Sequence, residues 1–186
     1  MRPVPLLWVG LAVTVSACGD PNLLLPANFF NEVDTVTVYA LTDTPVWRPS
    51  AYAMSDGLTV RLDQTNSADF AFDIYPDSQP ALLPGAVVGQ PSQRGLNPGL
   101  LRTNAPFDSV VFAVVSGYQT NDTVHADVGT VFYARANTIP TCFLGVPPYA
   151  KIEVLAVDYT ERSMQFRILV NRNCGYKGLE PGIPER

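Results

Sequence analysis

The chain has little imidazole or amine: one histidine, His125, and two lysines, Lys151 and Lys177, among its 186 residues. The other basic residues are all arginine, a split that reads as coding bias rather than chemistry. Twelve basic residues stand against 17 acidic ones, for a net charge of -5. Such an acidic balance argues against nucleic acid and against broad adhesion to anionic lipid. Catalytic signatures are missing as well. There is no Gly-x-Ser-x-Gly elbow, no His-Glu-x-x-His and no glycine-rich phosphate loop. Without a nucleophile or base that has an evident partner, an enzyme is the least expected reading. After the first eighteen residues no helical period persists beyond a turn or two, and no internal repeat is visible.

What is present begins at the N-terminus. Arg2 supplies a positive charge, and residues 6–15 (LLWVGLAVTV) form an apolar stretch of secretory length. That stretch falls short of the roughly 20 residues that a membrane-spanning helix needs. Val15-Ser16-Ala17-Cys18-Gly19 looks like the lipobox of bacterial lipoproteins, in which small residues precede a cysteine that is cleaved and acylated. The expectation is a cleaved signal peptide over residues 1–17, lipidation of Cys18, and a tether over residues 18–32. Multiple acyl chains on one cysteine hold a protein on a membrane where a single chain would not. Gly19 carries no inner-membrane retention signal, so the expected location is the cell envelope, with the outer membrane favoured over the inner. The tether carries a small apolar tag, Leu23-Leu24-Leu25 and Phe29-Phe30, which either docks on the domain or lies at the membrane surface.

With Cys18 assigned to lipid, Cys142 and Cys174 remain in an oxidising compartment, where two thiols pair as a disulfide. They enclose 31 residues, for which chain entropy gives about 3–4 kcal/mol of stabilisation. Two thiols fall short of a structural zinc site, which takes four ligands, so no metal is expected.

Seventeen prolines and 13 glycines punctuate the chain into short segments, which favours an all-β domain. Val36, Val38 and Ala40 alternate with Thr35, Thr37 and Tyr39; Phe70, Phe72 and Ile74 alternate with Ala71, Asp73 and Tyr75. Residues 110–115 (VVFAVV) are apolar on both faces and predict a central strand, and residues 104–109 suit one helical turn. Residues 150–158 and 163–171 flank Tyr159-Thr160-Glu161-Arg162 and predict a hairpin with a four-residue loop. In it Ile152, Val154 and Ala156 face the same core as Met164, Phe166, Ile168 and Val170. The expected fold is a two-sheet antiparallel sandwich or flattened barrel over residues 33–176, followed by a tail over residues 177–186.

Candidate site residues are sparse. His125 lies near Asp122 and Asp127, where a solvated loop histidine is the plain expectation. Asp69, Asp73 and Asp77 share one strand face, which reads as solvated rather than as a calcium site. Eight tyrosines either line a groove or serve ordinary packing.

Trp47-Arg48-Pro49-Ser50-Ala51-Tyr52, Asp69-Phe70-Ala71-Phe72-Asp73-Ile74, Phe107-Asp108-Ser109-Val110, Gly117-Tyr118-Gln119-Thr120-Asn121-Asp122 and Tyr149-Ala150-Lys151-Ile152-Glu153-Val154 are fragments that together resemble the HmuY-type haem-binding lipoproteins. The Asn173-Cys174-Gly175-Tyr176 ending resembles that of a broad class of bacterial envelope lipoproteins. The first resemblance implies two packed sheets, a lipid anchor and haem as ligand. That family holds iron between paired His or Met side chains. This chain has a single histidine, and Met164 is expected in the core, so the pair available is His125 with Met54. Two readings lead: a non-catalytic envelope module without cofactor, binding a small molecule, glycan or envelope protein through its loops, and, as the alternative, a haem-binding lipoprotein.

Overall fold

Period-two alternation builds two five-stranded antiparallel sheets that bury a shared core, and the architecture is a two-sheet sandwich. The computed structural model describes residues 26–92, 95–137, 142 and 146–184. The expected signal peptide, Cys18 and the tag at residues 23–25 lie outside them. The first sheet runs β1 (Val33–Tyr39), β10 (Ser163–Asn171), β9 (Tyr149–Asp158), β8 (Val131–Arg135), β6 (Gly99–Thr103). The second runs β3 (Leu58–Val60), β2 (Ala51–Ala53), β4 (Phe70–Ile74), β5 (Pro80–Pro84), β7 (Val124–His125). Tyr52 of β2 and Phe70 of β4 stack at 5.8 Å, and both meet Phe166 of β10 edge-on across the sandwich at 5.8 and 5.7 Å. Val36, Val38, Phe72, Leu82, Phe132, Ile152 and Ile168 complete that layer.

Two expectations about strands change. Residues 110–115 form no strand of either sheet. They run as an extended cover over the outer face of the first sheet, with Ala113 N–H donating to the Lys177 carbonyl and Leu179 N–H to the Val111 carbonyl. Phe107, Val110 and Ala113 pack inward with Leu169 and Leu179, while Val111, Phe112, Val114 and Val115 remain exposed. An apolar run shows how much can be buried but not whether both faces are covered. The second change lies in the hairpin. Its four-residue loop is as expected, but the register slips between Gln165 and Phe166, opposite Leu155. That bulge inverts the alternation of β9 beyond it, so Val157 packs on the core and Ala156 turns outward.

The described parts of the expected tether and tail are built into the fold. Asn31 and Gly182 exchange backbone hydrogen bonds at 2.7 and 3.0 Å, and Leu179 is fully buried. Asn173 accepts the Asn28 and Phe29 amides through Oδ1 and donates to the Phe29 carbonyl and to Asn171 Oδ1 through Nδ2. Asn171 and Asn31 both donate to the Gly178 carbonyl. Cys142 and Cys174 form a disulfide, with Cα atoms 5.3 Å apart, joining the β8–β9 connection to the segment after β10.

Asp69, expected in solvent, is buried at 2 % exposure. Alternation does put it on the face opposite Phe70, but that face is itself buried: Ala51, Ala71 and Leu83 lie on it in a second apolar cluster with Ala68, against which Leu41, Leu62 and Val88 pack. Its carboxylate accepts the Met54 and Asn137 amides. Burial pushes this carboxyl up to about 7, against the downward pull of those two donors. The native state therefore binds the proton more tightly than the unfolded chain. This stabilisation is full below about pH 4 and is lost as pH rises to about 7.

Urea unfolding from pH 4 to 8 should show a fall in stability with rising pH that is flattened in Asp69→Asn; parallel profiles would contradict the assignment. Replacing both Cys142 and Cys174 with serine should lower the unfolding free energy by about 3–4 kcal/mol. A guanidinium midpoint unchanged by that replacement would show that the bridge constrains little.

Candidate functional site

The haem pair suggested by the resemblance is not assembled. Met54 is 1 % exposed and belongs to the core between the sheets, whereas His125 is exposed on β7 at the sheet edge. Met54 follows β2, and β4 and β5 intervene between β2 and β7. Three strand spacings amount to about 14 Å. One iron atom cannot touch both side chains across that separation. Met164 is equally buried in the core, as expected.

The tyrosines do not line one groove. Tyr52 lies in the core, where desolvation pushes its hydroxyl up to about 12. Tyr118 and Tyr149 contact each other at 6.4 Å beside the cover on the first sheet. Tyr75 and Tyr159 meet at a cleft of about 610 Å³, within the size range of ligand sites.

That cleft sits at the end of the sandwich where the chain first crosses between sheets. Its walls come from the crossover (Thr42, Asp43), from the end of β4 and the turn after it (Asp73, Ile74, Tyr75, Pro76, Ser78), and from the β9–β10 loop (Tyr159, Arg162). The crossover is pinned to both sheets: Ala40 N–H donates to the Arg162 carbonyl and Leu41 N–H to the Phe72 carbonyl. Asp73, also expected in solvent, is 6 % exposed. Its Oδ1 accepts the Thr42 amide at 3.1 Å, the Thr42 hydroxyl at 2.8 Å and the Ile74 amide at 2.8 Å. Arg162 completes the frame. Nε donates to the Thr42 carbonyl, Nη2 donates to Thr42 Oγ1 and to the Ile74 carbonyl, and Nη2 stands 3.7 Å from Asp73 Oδ1.

The backbone marks the same place. Among the described residues, three that are not glycine have positive φ: Asp43 at 58°, Ser78 at 63° and Arg162 at 51°. All three line the cleft. A left-handed residue with a Cβ costs of order 1–3 kcal/mol and persists only where its surroundings impose it. At Arg162, and at Asp43 beside Thr42, the Asp73–Thr42–Arg162 network supplies that constraint; at Ser78 the β4–β5 turn does, with Ser78 N–H donating to the Tyr75 carbonyl and Tyr75 N–H to the Gln79 carbonyl. Asp43 has no hydrogen bond or ion pair among the described residues, so its carboxylate is open to a ligand. Beside the cleft, Arg48 pairs with Glu161 of the same hairpin loop at 2.9 Å and lies over the Tyr39 ring at 4.5 Å. The neighbouring Trp47 is 63 % exposed, and Tyr159 is 55 % exposed.

None of these residues forms a local motif. Asp73 was visible as a carboxylate on an outer strand face, and Tyr159 and Arg162 as members of a hairpin loop. Nothing in the chain announced that the three would converge with Thr42. No metal-ligating group of three or more acidic, histidine or cysteine side chains occurs among the described residues. No family model matches this chain, and neither the curated proteins nor the solved structures contain a match.

Proposed function

We propose that this chain is a lipid-anchored protein of the bacterial cell envelope, a non-catalytic binding module that holds its ligand in the cleft at the hairpin end. The observation that carries this reading is the polarity of the fold. β1 pairs Val33 with Leu169 at one end and Tyr39 with Ser163 at the other. The chain enters beside Asn171 and Asn173, and the cleft lies beyond Ser163. Nine residues of β10 separate those ends, about 30 Å of strand. An acyl group on Cys18 would thus tether one end of the sandwich and present the cleft from the other. The outer membrane is the favoured location, with the bilayer reached through the N-terminal lipid.

The lining supports binding rather than turnover. Ser78 has no histidine, lysine or cysteine beside it among the lining residues to act as base. Asp73 is committed to Thr42, Ile74 and Arg162. Asp43 is then the one uncommitted carboxylate of the lining, whereas glycoside hydrolysis uses two. Haem remains the ligand implied by the resemblance, and neither His125 nor Met54 lies in this cleft.

The anchor is tested by mass spectrometry of the mature N-terminal peptide together with membrane fractionation. Acylated Cys18 at the mature N-terminus, and release of Cys18→Ser protein from the membrane fraction, is the expected result. An unmodified Cys18, or a retained Met1, would overturn it.

A further inference from the structure

We propose that the cleft takes a neutral oligosaccharide, an inference that rests on the cleft being the ligand site. Three features of the lining point to that class. First, it combines exposed aromatic surface with donors and acceptors at short range. Tyr75 and Tyr159 line the cleft, and Tyr159 is 55 % exposed. The C–H face of a pyranose carries partial positive charge and packs on the negative face of an aromatic ring. Second, Asp43 accepts only, the Arg162 guanidinium donates only, and the Ser78 and tyrosine hydroxyls do both. Vicinal sugar hydroxyls, each a donor and an acceptor, match that mixture. A carboxylate or ammonium ligand would leave half of it unmatched.

The third feature is charge. Asp73 is balanced by Arg162, and Glu161 by Arg48, which leaves Asp43 in the cleft and Asp77 beside it. This residual negative charge opposes phosphorylated, sialylated or propionate-bearing ligands. The frame is also set in advance: Arg162 is held by hydrogen bonds to Thr42 and Ile74, and the left-handed backbone at Asp43, Ser78 and Arg162 leaves the loops little freedom. A rigid site loses less ordering entropy when it captures a weakly interacting, hydroxyl-rich ligand.

The test uses the full chain in a polyoxyethylene detergent, which contains no sugar headgroup. Maltohexaose, cellohexaose, chitohexaose and mannohexaose are titrated by calorimetry, with hexalysine as a separate arm. Saturable binding of at least one of the four sugars is expected. Tyr159→Ala and Asp43→Gly should each weaken it by about tenfold or more, the scale of one lost anchoring contact. Asp43→Gly suits the positive φ, Tyr159 is exposed, and thermal melts of both variants check that the fold is kept. Phe30→Ala, at the opposite end, should leave binding unchanged. No binding of any of the four sugars, or binding insensitive to both cleft substitutions, overturns the proposal. Hexalysine binding that depends on Asp43, without sugar binding, overturns the ligand class but keeps the cleft as a binding site. Absence of both kinds of binding overturns the two readings together.

Discussion

Thr42 sits where the chain leaves the first sheet for the second, and its backbone and hydroxyl are gripped from both sides. Asp73, at the end of β4, accepts its amide and hydroxyl; Arg162, at the hairpin tip of the first sheet, donates to its carbonyl and hydroxyl oxygen. Arg162 also reaches the Ile74 carbonyl. Two sheets that meet largely through apolar packing are thereby keyed together at this end by directional bonds, as the Asn137 amide and Asp69 join them elsewhere. Apolar packing tolerates small sliding, whereas hydrogen bonds to a nearly buried carboxylate do not, because each lost partner leaves a desolvated charge short of a donor. The cleft is the concavity that this joint leaves between its three contributing segments.

The opposite end is fastened by different chemistry. Asn31, Asn171 and Asn173 bind the incoming and outgoing chain segments together through amide side chains, and the Cys142–Cys174 bridge adds a covalent tie. A tether that pulled on this end would load a network of amides and a disulfide rather than the cleft. The division of labour follows from strand length, since β10 carries the separation between the two ends.

Much of the architecture was legible from alternation alone. Val36, Val38, Phe70, Phe72, Phe132, Ile152, Met164, Phe166 and Ile168 all lie in the core, where period two places them. The disulfide followed from counting thiols. The failures have a common cause: alternation reports the face on which a side chain lies, not what covers that face. Asp69 and Asp73 do oppose the core residues of β4, yet loop and strand residues cover both. Residues 110–115 are apolar throughout, yet four of the six face water because the run is itself a cover. The bulge opposite Leu155, which exchanges Ala156 for Val157 in the core, leaves no trace in a sequence of small apolar residues. Edge strand β6 was hidden in Gly-Leu-Leu-Arg-Thr, where two adjacent leucines give no alternation. The cleft was the least legible part, because its residues come from three separated segments and its strained positions, Asp43, Ser78 and Arg162, are not glycines.

The central claim is that Asp73 and Arg162 act as one unit through Thr42 to hold the cleft. A double-mutant cycle of unfolding free energies, with Asp73→Asn, Arg162→Gly and the pair, measures that directly. Glycine at position 162 accepts the positive φ, so the cycle reads the side chain rather than backbone strain. The account predicts a coupling energy of about 1 kcal/mol or more between the two sites. Additivity of the two substitutions to within about 0.3 kcal/mol would contradict it.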